Sequence, residues 1–142
     1  MNKKLLVGMS LFVQGIEEEA NNALAKNPTS LEAPRAIYKK ALERKKNAIA
    51  RCSSKREQTE HEREIRELYI SRAAMEIQMG QKKQAKNVFE EAMKLDFCRR
   101  DPIFWKAYIN FFIRVGKNEL ARKCFKRAVE QVDVSYFVIS DM

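Results

Sequence analysis

The chain is predicted to be an all-α solenoid of about seven helices paired into hairpins, and three observations predict it. The stretch from Gly80 to Ala92 is repeated from Gly116 to Ala128, with Gly, Ala, Phe and Ala in register at a spacing of 36 residues. Self-similarity at a period of roughly 20–50 residues marks stacked supersecondary units that bury their apolar faces only against neighbours. Each copy also follows an apolar segment with helical periodicity. Finally, four glycines and three prolines in 142 residues are too few for an all-β chain, which needs turn residues roughly every 8–12 positions.

The elements follow in order. Leu5, Leu6, Met9, Phe12, Val13 and Ile16 have the spacing of a first helix, which Gly15 is expected to break. Glu17, Glu18 and Glu19 then suit the first turn of a second segment, where carboxylates meet the positive end of the helix dipole. It runs to about Asn27 and stops at Pro28. Thr29 and Glu32 have capping-box spacing for a third helix. Pro34 falls in its first turn, where proline is tolerated, and Tyr38, Ala41 and Leu42 carry its apolar face to about Ala50. Ser54 and Glu57 form a second capping-box pair for a long helix from about Lys55 to Met79. The first half of that helix is almost wholly polar, so it projects into solvent or rests on charge pairs such as Glu62–Arg66 and Arg63–Glu67. The second half is amphipathic through Ile65, Leu68, Tyr69, Ala73, Met75 and Ile77.

Gly80 and Gly116 permit the left-handed stop that ends a helix and opens a tight turn. Between them lie a helix from Lys82 to about Leu95, a linker over 96–101, and a helix started by Asp101 at the N-cap and Pro102 at its first position. A last helix runs from about Asn118 to Gln131. The expected organisation is a single helical-repeat domain over 1–142. It comprises degenerate N-terminal repeats with a basic helix (1–53), a repeat over 54–96, the clearest repeat over 101–132 and an apolar tail over 133–142.

The formal net charge is +9, a balance that attracts phosphate-rich or acidic partners. Cys52, Cys98 and Cys124 are odd in number and irregular in spacing, a poor disulfide framework and a pointer to a reducing compartment. Lys3 and Lys4 before the apolar run from Leu5 to Val13 have the form of a short signal peptide as well as of a first helix. No stretch approaches the roughly 20 apolar residues of a membrane span.

From Asp101 to Val129 the order Asp-Pro-x-x-Trp-x-x-Tyr-x-x-Phe, then Gly, Ala-Arg, Phe and Arg-Ala-Val, resembles the half-a-tetratricopeptide (HAT) repeat of RNA-processing scaffold proteins. Trp105, Tyr108 and Phe111 take the aromatic positions of its first helix. Gly116, Ala121, Arg122, Phe125, Arg127 and Ala128 take those of the second. Phe112 stands where an acidic residue is usual. In a weaker copy from Arg66 to Leu95, Tyr69 replaces the Trp, Glu76 restores the acid, and Gly80, Ala85, Phe89 and Ala92 match. Pro34 to Leu42 resembles a second-helix motif with Pro in the small-residue slot, and Gly15, Ala20 and Leu24 a decayed copy. The Trp-x-x-Tyr-x-x-Phe order separates this pattern from the Trp-x-x-Leu-Gly-x-x-Tyr of generic tetratricopeptide adaptors. Independently of the family, Ala85 and Ala121 are small where two helices cross closely. Phe89 and Phe125 lie one turn on and fill the layer between repeats, and Trp105, Tyr108 and Phe112 make one stripe. These residues are expected to be core.

The functional lead is a basic run. From Arg35 to Arg56 there are nine basic residues (Arg35, Lys39, Lys40, Arg44, Lys45, Lys46, Arg51, Lys55 and Arg56) and one acid, Glu43. On a helix Lys39 and Lys46, and Lys40, Arg44 and Arg51, lie on adjoining faces. Clustered charge of this kind binds phosphate through counterion release, fits an acidic protein surface, or serves as a solvated face. No aromatic is interleaved in its exposed part, so an RNA contact would be to the backbone and poorly sequence-specific. His61 is expected to be solvated. No Gly-rich phosphate cradle, serine elbow, zinc pattern or nucleophile–base set is present, so neither enzyme activity nor a cofactor, metal or small-molecule substrate is expected. The resemblance implies a nuclear, non-catalytic scaffold in splicing, pre-rRNA processing or mRNA 3′-end formation. Its partners would be protein subunits of a ribonucleoprotein assembly, RNA backbone near the basic helix, and a second copy or subunit through the tail. The alternatives are a cytoplasmic peptide-holding adaptor and a protein seated on rRNA.

Overall fold

A computed structural model describes residues 8–132. Among them are seven helices and no strand: α1 (Leu11–Lys26), α2 (Glu32–Arg51), α3 (Lys55–Gln78), α4 (Lys82–Ala92), α5 (Asp96–Arg99), α6 (Pro102–Arg114) and α7 (Asn118–Gln131). The fold is a helical-hairpin repeat. The chain forms two compact units, Met1–Met75 and Glu76–Met142. The expected signal or helix start over Leu5 and Leu6, and the apolar tail over 133–142, lie outside the described residues.

In the first unit α1 and α2 pack as a hairpin. Ser10 caps α1: its hydroxyl accepts from the Val13 N–H at 3.2 Å, and its own N–H donates to Glu67 Oε1 at 2.9 Å. The expected break at Gly15 does not occur. Val13, Ile16 and Ala20 are buried on one face, and the packing of that face outweighs the roughly 1 kcal/mol that a mid-helix glycine costs. Glu17 to Glu19 therefore sit inside α1 and not in a first turn. The Thr29–Glu32 capping box is also absent. Leu31 is the N-cap of α2 and makes no side-chain cap, because Thr29 lies two residues too early. Thr29 donates back to Asn27 Oδ1 at 3.1 Å, and Ser30 Oγ accepts from the Glu32 N–H at 3.3 Å. At α3 the Ser54 hydroxyl does accept from the Glu57 N–H, at 3.0 Å.

Tyr38 and Leu42 of α2 and Ile65, Leu68, Tyr69 and Ala73 of α3 are all buried. The Tyr38 hydroxyl lies 2.6 Å from Ser71 Oγ, which donates to Glu17 Oε2 at 3.5 Å. This chain joins the three helices. Burial pushes the Tyr38 phenol up to about 12, with the Ser71 bond opposing and the Glu17 charge adding.

The second unit repeats one device twice. Gly80 (φ 75°) and Gly116 (φ 78°) are left-handed. The Gly80 N–H reaches the Ile77 carbonyl at 3.0 Å and the Gln81 N–H that of Glu76 at 2.8 Å. The Gly116 N–H reaches Ile113 at 3.0 Å and the Lys117 N–H reaches Phe112 at 2.9 Å. Both are Schellman stops, 36 residues apart. Asp101 Oδ1 then caps α6 by accepting from the Ile103 N–H at 3.0 Å, with Pro102 at the first position.

Phe89 of α4 lies flat on Tyr108 of α6 (centroids 4.6 Å apart, planes at 12°) and touches Phe104 at 5.8 Å and Phe111 at 5.7 Å. Tyr108 stacks on Phe112 at 5.0 Å. The segment expected as a linker holds α5, and α4 ends at Ala92, short of Leu95. The reason is Trp105, whose indole N–H donates to the Arg99 carbonyl at 2.6 Å. Arg99 in turn bonds the Met93 carbonyl at 3.0 Å and pairs with Asp96, and Cys98 is buried beneath. Of the residues expected in the core, Tyr69, Ala85, Phe89, Ala92, Trp105, Tyr108, Phe112, Ala121 and Ala128 are buried. Phe125, expected in the layer between repeats, is instead 38% exposed.

Gly15 is right-handed and exposed, while Gly116 is left-handed; an added Cβ meets nothing at either position. Gly15→Ala should therefore stabilise by about 0.5–1 kcal/mol, and Gly116→Ala should destabilise by about 1–2 kcal/mol through left-handed strain alone. Urea unfolding of the two variants reads these opposite signs.

Candidate nucleic-acid interface

The basic run folds onto α2 and the start of α3. Lys39, Lys40, Arg44, Lys46, Arg51, Lys55 and Arg56 are exposed, and Arg35 is half-buried. The buried stripe of α2 is Tyr38, Ala41 and Leu42. At 100° per residue, Lys40, Arg44 and Arg51 form a row on one side of it and Arg35, Lys39 and Lys46 a row on the other. The same geometry puts Lys45 in the buried stripe, seven residues after Tyr38 and three after Leu42.

Lys45 therefore leaves the exposed set that the sequence proposed for RNA contact. Its Nζ lies 2.6 Å from Glu64 Oε1 and 3.4 Å from His61 Nδ1. It also stands 4.1 Å from the centre of the Phe12 ring, in reach of a cation–π interaction. Glu64 is only 8% exposed, so the pair is shielded and far less screened than a surface pair. His61, expected to be solvated, borders this cluster at 3.8 Å from Glu64. Lys46 donates to the Tyr69 hydroxyl at 3.0 Å, and Arg44 stands 5.9 Å from the Phe12 ring centre. Arg63 pairs with Glu67 at 3.0 Å, as its spacing predicts, and with Glu60.

Sequence reasoning missed Glu64 and Phe12 as partners. A signal for Glu64 was present: it lies one turn before Leu68, so the apolar stripe of α3 extends back through an acid just where the stripe of α2 extends through a base.

A second charged cluster belongs to the other unit. Glu90 accepts from Arg127 at 2.7 and 3.1 Å and from the Tyr108 hydroxyl. Arg127 also stands 5.3 Å from the Trp105 ring centre. Burial acts to raise the Glu90 carboxyl, but the bonds from Arg127 and Tyr108 outweigh it and hold the group below its ordinary value. Burial and then Glu90 push the Tyr108 phenol well up. Burial also pushes the Cys124 thiol up to about 12, leaving it protonated and unreactive near neutrality. Glu90, Lys94, Arg99, Trp105, Arg127 and Glu130 help to line a hollow here, in which Arg127 is paired with Glu90. Among the described residues no group of three or more His, Cys, Asp or Glu is placed to hold a metal ion. Cys52, Cys98 and Cys124 form no disulfide, and among the described residues no helix is long and apolar enough to cross a membrane.

Residues 25–137 match the family model described as Suppressor of forked protein (Suf). No curated protein and no solved structure matches the chain.

Because the Glu90 carboxyl is lowered in the fold, its contribution to stability is present above its ordinary 4.5 and is lost as pH falls through the lowered folded value. Urea midpoints measured on either side of 4.5 should fall less on acidification in Glu90→Gln than in the parent. Equal falls in the two proteins would remove Glu90 from the acid response.

Proposed function

The chain belongs to the suppressor of forked (Suf) family, a HAT-repeat family involved in mRNA 3′-end processing, and from that premise we propose a non-catalytic scaffold in a nuclear assembly that processes mRNA 3′ ends. The observation that carries this reading is the pair of Gly-Ala-Phe-Ala copies with the same hydrogen-bonded stop at the head of each. Packed aromatic and small side chains hold the helices rigid, which is what a surface for joining other subunits requires.

On this reading the exposed rows of α2 lie near RNA. Lys39, Lys40, Arg44 and Arg51 meet the phosphate backbone, with Lys55 and Arg56 extending the row at the start of α3. Lys45 serves the fold through Glu64. The contacts position RNA without reading its bases, because lysine and arginine on phosphate carry no sequence information. Protein subunits of the same assembly bind the remaining helical faces.

Charge reversal at Lys39, Lys40 and Arg51 to Glu, with Lys45 and Lys46 left in place, should abolish retention of single-stranded RNA. It should also lower the slope of log affinity against log salt by about 2, at ~0.7 per lost phosphate contact. Filter binding across a salt series measures both. Equal affinity and slope in parent and variant would refute the RNA contact while leaving the scaffold role standing. Co-purification of the full chain from nuclear extract, with the bound proteins identified, tests the assembly itself.

A further inference from the structure

Three residues, Cys52, Ser53 and Ser54, join α2 to α3. Cys52 ends α2 in extended backbone (φ −76°, ψ 148°). Ser54 opens α3: its hydroxyl accepts from the Glu57 N–H at 3.0 Å and its carbonyl from the Gln58 N–H at 3.1 Å. Ser53 lies between the two, one residue outside the cap. It is exposed, and so are Arg51 and every residue from Ser54 to Glu60. The linker and the first turn of α3 are thus open to a second macromolecule.

Within three residues on either side Ser53 has three bases, Arg51, Lys55 and Arg56, and no acid. The other described aliphatic hydroxyls differ. Ser71 is buried. Ser10 and Ser30 are half-buried, and each accepts from a backbone N–H. Thr59 stands inside α3 among Glu57, Glu60 and Glu62, and Thr29 has one base, Lys26, and one acid, Glu32, within the same reach. A protein kinase takes its target serine in extended backbone, and it separates one serine from another by the charges that flank it.

We propose that Ser53 is a phosphorylation site for a protein kinase that selects bases on both sides of its target. The Ser53 Oγ attacks the γ-phosphorus of ATP. The new O–P bond forms as the bond to ADP breaks, and the hydroxyl proton passes to the catalytic aspartate of the kinase. The product carries a charge of about −1.5 to −2 at neutral pH. It stands beside Arg51, Lys55 and Arg56, at one end of the exposed basic row, and offsets about two of their three charges. Its oxygens compete with an RNA backbone for the same guanidinium and ammonium groups. Phosphorylation therefore loosens RNA at this end of the row. That consequence rests on the RNA contact proposed above; the modification itself does not.

The test incubates the full chain with ATP and protein kinase C and locates the phosphate by intact mass and peptide fragmentation. One phosphate per chain, on Ser53, is expected. It should be absent from Ser53→Ala, persist in Ser54→Ala, and form several-fold more slowly when Arg51→Gln and Lys55→Gln are combined. An unmodified Ser53, equal phosphate in Ser53→Ala, or an unchanged rate in the combined variant would overturn the site. Chain phosphorylated at Ser53 is then compared with the parent for single-stranded RNA. The slope of log affinity against log salt should fall by about 1.4, at ~0.7 for each of two cancelled contacts. An unchanged slope would overturn the release. A parent that binds no RNA would refute the RNA contact instead, and the mass result alone would then decide Ser53.

Discussion

The stacking of Phe89 on Tyr108 is the interaction on which the second unit depends. It joins the second helix of one hairpin to the first helix of the next, and so turns two local motifs into one packed body. A stacked aromatic pair adds roughly 0.5–1.5 kcal/mol to what its buried area supplies. Here the pair also recruits Phe104, Phe111 and Phe112 into a single cluster. The polar edge of the same cluster is satisfied where it would otherwise be costly. The Tyr108 hydroxyl is held by Glu90, and the Trp105 N–H by the Arg99 carbonyl. That second bond explains why a helical turn, and not a loose linker, precedes α6.

Charge is divided between folding and surface by helix face alone. Lys39 and Lys45 are both lysines in one basic run, six residues apart. Lys39 points to solvent and remains available to a polyanion. Lys45 lies in the stripe of Tyr38 and Leu42 and is matched by Glu64, at 2.6 Å. Removing either member would leave the other shielded and unpaired, a heavier loss than the surface pair median of roughly 0–1 kcal/mol. The exposed basic surface is therefore shorter than the sequence run.

Much of this was legible in the sequence. The period of 36, the left-handed glycines, the Asp101-Pro102 start and the Ser54 cap all carry local chemistry that needs no tertiary context. What was misread depended on neighbours far along the chain. Gly15 looks like a breaker until Val13, Ile16 and Ala20 are seen to bury one continuous face. Thr29 has capping spacing, yet the helix begins two residues later. Segment 96–101 looks like a linker because its organising contact, to Trp105, comes from the following helix. His61 and Lys45 looked solvated because their partner Glu64 sits in a polar half-helix, whose burial is visible only by extending the stripe of Leu68 back a turn. Phe125 was assigned to the core by its motif and is 38% exposed, because a motif fixes which face of a helix is apolar and not how much of that face is buried. The basic rows were legible as charge.

The account stands or falls on the aromatic layer between hairpins. Equilibrium urea unfolding of Phe89→Ala tests it most directly. If Phe89 is the roofed member of that layer, its truncation should cost about 3–5 kcal/mol, the range for a buried phenylalanine. A loss below about 1 kcal/mol, the size of a surface change, would mean that the helices are held together by something else.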